Sequence, residues 1–308
     1  MKKLIKVFKE NYQFLFMVLP ATIWFLIFSY IPMFGVIIAF KDLKLRGKGF
    51  LDSILSSKWV GLRNFEFLFK TQDAWVITRN TVLYNLVFIF LGLIVSVSIA
   101  IILTEISHKK LGKLLQTAMF LPYFLSMVVI SYFVFIFLSD KGLMNNIITS
   151  IGGKSVSWYL NPKPWPVILV ITNLIKGAGY GSVIYLASIA GINRSYYEAS
   201  MIDGATKSQQ IKYITLPMLK PVMIMLTLLA IGGIFRGDFG LFYQVPRNSG
   251  VLYPVTDIID TYVYRSLATL GDFGMSSAAG LYQSVVGFVL IMLSNYVVSK
   301  LDNDSALF

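Results

Sequence analysis

Residues 198–217 read EASMIDGATKSQQIKYITLP, a polar stretch set between two apolar runs at about 165–190 and 218–235. Runs of about 20 apolar residues are the length a helix needs to cross a bilayer. The rest of the chain repeats that pattern, with further runs over roughly 14–40, 80–104, 117–138 and 276–298. Of 308 residues, 56% are hydrophobic and 14% charged, whereas a soluble globular chain carries roughly 25% charged residues. Mean hydropathy is +0.70. The fold class read from this is all-α integral membrane with six transmembrane helices, which puts both termini on one side. Pro20 and Pro32 fall inside the first run, so that helix is expected to kink or to end near Pro32.

There is no cysteine, which excludes disulfides, zinc clusters and cysteine nucleophiles. The single histidine, His108, sits among lysines in SHKKLGK and reads as a solvated loop residue. A net charge of +12 is compatible with nucleic acid, but in a membrane chain basic loops set topology and meet anionic lipid headgroups. No nucleic-acid partner is expected; membrane lipid is. MKKLIKVFKE at the start resembles a signal peptide, yet the apolar stretch behind it is too long and lacks a small-residue cleavage site, so it reads as a retained span. Raw Lys and Arg counts on the two sides do not decide orientation. The short 105–116 loop with Lys109, Lys110 and Lys113 points to cytoplasmic termini. The expected divisions are a 1–12 tail, a first helix with its extracytoplasmic segment over 13–78, a five-helix core over 79–300 holding the 193–217 loop, and a 301–308 tail.

Within the loop, Ser195 to Glu198 fits an S-x-x-E capping box opening a short helix to about Asp203. Asp203-Gly204 gives a turn, with Gly204 free to take positive φ. Thr206 to Gln209 fits a T-x-x-Q box opening a second short helix that ends before Pro217. Two capped helices about a glycine elbow make a rigid surface, and a rigid surface suggests docking.

Glu198-Ala199-Ser200, then three residues and Gly204, then nine residues and Ile214-x-Leu216-Pro217, closely resemble the EAA loop of binding-protein-dependent type I ABC importer permeases. Ser200 stands where that pattern has a second alanine. YIPMFGVIIAFKD (30–42), WVGLRNF (59–65), FLPYFLSMVV (120–129), GYGSVIYLASIAGI (179–192) and DTYVYR (260–265) look like the polysaccharide-type branch of the sugar importers, similar to the maltose-importer membrane subunits. The resemblance implies that 198–217 couples the chain to an ABC ATPase dimer, with Glu198, Ala199, Ser200, Asp203, Gly204, Ala205, Ile214, Leu216 and Pro217 forming the docking surface or its elbow. It also implies a second homologous permease, an extracytoplasmic solute-binding protein, and a sugar cargo, an oligosaccharide, in a prokaryotic cytoplasmic membrane. No cofactor is expected on this chain, since ATP and Mg would sit on the ATPase.

Does the chain power itself? Gly153-Lys154-Ser155 matches the end of a P-loop, but Ile148 stands where the first glycine is required. No carboxylate lies inside a span: Glu105 sits at a span end, and Asp140 and Asp238 lie beyond others. That argues against the alternative of a self-sufficient proton-coupled carrier or channel. No catalytic carboxylate cluster marks a glycan enzyme either.

For the cargo, Asn173, Lys176 and Tyr180 share one face of the fourth span, and polar groups at membrane depth usually face an interior or a watery cavity. Tyr84 with Asn85 and Tyr282 with Gln283 are similar amide–aromatic pairs. Two readings stand for each, a sugar path or polar glue between helices. Gly177, Gly179 and Gly181 would allow close helix approach. Segment 236–275, rich in Tyr and Phe, reads as a cover over the outer mouth that meets a binding protein, or as an interfacial aromatic belt.

Overall fold

The computed structural model describes residues 11–44, 49–106 and 108–301. Most of the 1–12 tail and nearly all of the 301–308 tail lie outside these residues. In chain order the longer elements are helix α1 (Tyr12–Phe40), strand β1 (Lys41–Asp42), helix α2 (Phe50–Ser56) and strand β2 (Lys58–Trp59). Then come α3 (Gln72–Glu105), α4 (Lys109–Phe124), α5 (Met127–Leu138), α6 (Leu143–Ser150), α7 (Trp165–Ala190) and α8 (Arg194–Ile202). Helix α9 runs over Lys207–Gly232, followed by α10 (Phe239–Gln244), α11 (Ile259–Leu270) and α12 (Phe273–Leu301). Among the described residues, six helical stretches are long and apolar enough to cross a membrane: α1, α3, α5 with α6, α7, α9 and α12.

Neither Pro32, where the first helix is expected to kink or end, nor Pro217, where the second limb is expected to end, stops its helix. α1 continues past Pro32 to Phe40, and α9 continues past Pro217 into the fifth span. In both cases a π-turn lies just upstream, Leu26–Tyr30 before Pro32 and Ile211–Thr215 before Pro217. In each, the residue before the proline donates its N–H five residues back, Ile31 to the Leu26 carbonyl and Leu216 to the Ile211 carbonyl. Proline has no N–H and crowds the carbonyl four residues back. A widened turn takes up that misfit without breaking the rod.

The third span is the opposite case. The run 117–138, read as one helix, is broken: α4 stops at Phe124, Leu125 is extended with ψ 138°, and Ser126 accepts from the Val129 N–H to open α5. Pro122 in the last turn and a serine suited to N-capping account for the break.

The chain divides into two compact units. The first comprises residues 1–71 and 265–282, the second 72–264 and 283–308. In the first, β1 pairs antiparallel with β2, and the Asn64 amide donates to the carbonyls of Ala39 and Lys41 at 3.0 Å each. In the second, Trp165, Tyr84, Leu169, Leu241, Phe242, Val245, Leu252 and Ile258 form a buried cluster. Five of these come from 236–275, so much of that segment is core rather than a loose cover. Its side chains are apolar because they replace lipid or water with close packing. A second cluster gathers Val97, Ala100, Tyr185, Ile189 and Leu219.

The glycines of the fourth span split. A Cβ on Gly179 would collide with the Met119 carbonyl, and one on Gly181 would lie 2.7 Å from Ser96 Oγ, whereas Gly177 faces open space. Two of the three therefore serve close helix approach.

Candidate functional site

The 193–217 loop is built as two helical limbs, with one correction. The first cap is Asn193, not Ser195: its side chain accepts from the Ser195 N–H at 3.0 Å and opens α8. Ser195 lies inside the first turn, because an asparagine two residues earlier is an equally good cap and starts the helix first. The second box is present. Thr206 accepts from the Gln209 N–H, and the Gln209 side chain accepts from the Thr206 N–H at 2.7 Å.

Between the limbs the backbone makes a paired C-terminal closure. Gly204 N–H donates to Met201 O and Ala205 N–H to Ser200 O, with Gly204 at φ +78°. That is the left-handed glycine ending of a helix, and it turns the chain without a side-chain clash. Glu198, Ala199, Asp203, Gly204 and Pro217 are exposed; Ser200, Ala205, Ile214 and Leu216 are half-buried. Ile202 is 87% exposed and Tyr213 67%, an unusual display of apolar surface on a polar loop. Lys207 Nζ lies 3.2 Å from Glu105 at the end of α3. A cavity of about 420 Å³ separates the loop from the helix ends, lined in part by Thr104, Glu105, Ile189, Arg194 and Glu198.

The span residues singled out from sequence divide by what they touch. Asn85 donates to the Ile234 carbonyl at 3.0 Å and the Arg236 carbonyl at 3.1 Å, just past the end of α9. The Gln283 amide donates to Phe235 O at 2.7 Å and to Asp260 Oδ2 at 3.2 Å. Lys176 Nζ donates to Tyr123 O at 3.2 Å and Leu125 O at 2.7 Å, closing the broken end of α4. Helix ends leave carbonyls without partners, and each of these side chains supplies donors at such an end. Tyr84 is buried, its hydroxyl donating to Val255 O at 2.7 Å. Tyr282, in the first unit, meets Phe69 edge-on at 6.4 Å. Tyr180 is half-exposed and stacked on Tyr123, ring centres 4.0 Å apart; Asn173, two turns earlier on α7, is half-buried.

Sequence reading passed over the polar group after α9. Arg236 donates to Ser284 Oγ at 2.9 Å, and Asp260 accepts from the Gly237 N–H at 2.8 Å. Burial pushes the Asp260 carboxyl up from the ordinary carboxylate range, against those hydrogen bonds and the nearby Arg236 guanidinium, which pull it down. Phe239, Tyr243 and Tyr264 form an aromatic group beside it, ring centres 4.7–5.3 Å apart. Gly232-Gly233 followed by Arg236 marks the helix end in sequence and was the available signal.

The profile of the family described as "Binding-protein-dependent transport system inner membrane component" matches residues 92–303, which include the whole loop and four complete apolar spans. The chain belongs to that family. The permease is 34% identical to the polygalacturonan/rhamnogalacturonan transport system permease protein YteP of Bacillus subtilis over 298 residues, 96% of this chain and 90% of that one. It is 32% identical to protein LplB of the same organism, over 94% of this chain and 89% of that one. Among solved structures, a chain of a bacterial ABC transporter that imports the acidic polysaccharide alginate matches with TM-score 0.86 at 31% identity, covering 97% of the permease and 99% of that chain. A further structure holds the alginate transporter in complex with a periplasmic protein carrying an alginate pentasaccharide, TM-score 0.85 at 30% identity, covering 96% and 97%. The fold is that of a type I ABC importer permease, and the permease is a multi-pass membrane protein.

Proposed function

We propose that this permease forms half of the translocation pathway of an ATP-driven sugar importer and receives the motion of its ATPase through the 193–217 loop. The observation that carries the proposal is the loop itself: two capped limbs, a glycine elbow and exposed apolar side chains at Ile202 and Tyr213. Such a surface is matched to a partner groove rather than to water. The permease holds a second, homologous permease beside it, an ABC ATPase pair beneath and a solute-binding protein outside, with both its termini cytoplasmic. ATP and Mg sit on the ATPase, and this chain is not itself an enzyme. The cargo is an oligosaccharide, in keeping with the galacturonan and alginate transporters it resembles.

Inside the membrane, the exposed Tyr180 ring is stacked on Tyr123, whose own ring lies 5.9 Å from Lys176 Nζ, and Asn173 stands on the same face of α7, so an aromatic face with ammonium and amide donors is offered. Sugars bind through apolar ring faces against aromatics and hydroxyls against polar groups, so this face lines the path. Lys176 then has two tasks, closing α4 and presenting charge.

The test is gentle purification of the tagged permease from its native membrane. A nucleotide-binding subunit and a second six-span permease should accompany it, and both should be lost when Glu198→Ala and Gly204→Asp are combined. A lone chain, or partners retained by the double variant, would refute the docking role.

A further inference from the structure

The two limbs of the loop are fastened to each other by a group of side-chain hydrogen bonds. Ser200 Oγ, on α8, donates to Tyr197 O at 2.8 Å and accepts from Gln210 Nε2, on α9, at 2.9 Å. The same Gln210 amide donates to Tyr197 O at 3.3 Å, and the Tyr197 hydroxyl meets Thr215 Oγ1 at 2.9 Å. Gln210 and Thr215 are buried, at 2% and 4% exposure. Beside the cavity of about 420 Å³, the Lys207–Glu105 pair that joins the loop to the end of α3 is solvent-exposed, and exposed pairs contribute little; apolar packing of Leu216 and Leu219 near Val97 and Ala100 holds the far end of the second limb.

Gly204, at φ +78°, turns the chain between the limbs, and the elbow is held by the backbone bonds Gly204 N–H to Met201 O and Ala205 N–H to Ser200 O. The side-chain bonds give α8 a second connection to α9 beside that elbow. α9 is continuous from Lys207 to Gly232 and so carries any displacement of its first turn straight into the fifth span.

We propose that the Ser200–Gln210 bond locks the two limbs into one lever, making Ser200 and Gln210 positioning residues for energy coupling. This deepens the importer reading and rests on it. It also gives a use to the serine that replaces the alanine of the EAA pattern. Gln210 gives its amide N–H groups to this junction, while its Oε1 is buried without a hydrogen-bond partner among the described residues.

The experiment uses the full importer, reconstituted with its partner permease, ATPase and binding protein, and reads sugar moved per ATP hydrolysed. Ser200→Ala should lower that ratio about threefold or more, the scale of one neutral hydrogen bond, while assembly and ATP hydrolysis persist. Ser200→Thr keeps a hydroxyl and should retain most of the ratio. Gln210→Met should lower the ratio while leaving thermal stability unchanged or raised, a split that a merely structural residue would not give. The double variant should be no worse than the worse single one, because both remove the same bond. An unchanged ratio in Ser200→Ala, or additive losses in the double variant, would overturn the proposal. Gly204→Asp is run alongside. If it uncouples while Ser200→Ala does not, the lock is wrong and the coupling loop stands. If both transport normally, both fall.

Discussion

The 193–217 loop and the polar residues of the spans are both islands of hydrogen-bonding groups in an apolar chain, but they satisfy themselves over different distances. In the loop, apart from the exposed Lys207–Glu105 ion pair, side-chain partners lie within 18 residues: Asn193 with Ser195, Thr206 with Gln209, Ser200 with Gln210, Tyr197 with Thr215. In the spans, Asn85 reaches the Ile234 carbonyl across 149 positions and Lys176 reaches Leu125 across 51. Those distant bonds go to places where a helix stops inside the bundle, after α4 and after α9. A helix that ends away from water exposes carbonyls no solvent can reach, and each costs free energy until a neighbour donates to it. The lesson is that a polar residue on a membrane span is read first by asking which broken helix it closes, and only then by asking what cargo it meets.

The contrast can be broken at its strongest point. Lys176→Met removes a charged donor from the Tyr123 and Leu125 carbonyls and should cost roughly 3 kcal/mol of stability, read as a lower thermal unfolding midpoint in detergent. Full stability with impaired uptake would instead make Lys176 a cargo residue alone. Asn85→Leu leaves the Ile234 and Arg236 carbonyls without this donor and should cost roughly 2 kcal/mol, measured the same way. An unchanged midpoint would show that helix closure after α9 does not depend on it.

The loop sharpens the contrast with smaller effects. Thr206→Ala removes the cap of the second limb and should cost about 1 kcal/mol, visible as faster amide exchange over 207–211 with the spans untouched. Lys207→Met breaks the pair with Glu105 and should change stability by about 0.5 kcal/mol or less, vanishing in high salt. A large loss there would mean that the loop is anchored to α3 after all.

How much of this was legible follows the same division. Apolar runs placed the spans, because membrane thickness imposes a length that sequence shows directly; the 165–190 run is α7 to the residue. The Thr206 box and the Gly204 elbow were legible because their partners are a few residues apart. Asn193 was missed as a cap only because Ser195 offered a competing box nearby. The break at Leu125–Ser126 was hidden in FLPYFLSMVV, where hydrophobicity runs on unaltered across the stop. The continuity through Pro32 and Pro217 was hidden for the reverse reason, since a π-turn leaves no compositional mark. The partners of Asn85, Gln283 and Lys176 are set by packing between distant helices, and no spacing rule in one sequence encodes them.

The most direct test of the central claim is sugar uptake into vesicles holding the complete importer and its binding protein, with and without ATP on the ATPase side. Uptake that requires ATP and is abolished by Gly204→Asp, with the protein still inserted, is the predicted result. Uptake that persists without ATP would contradict the account and return the chain to the class of self-sufficient carriers.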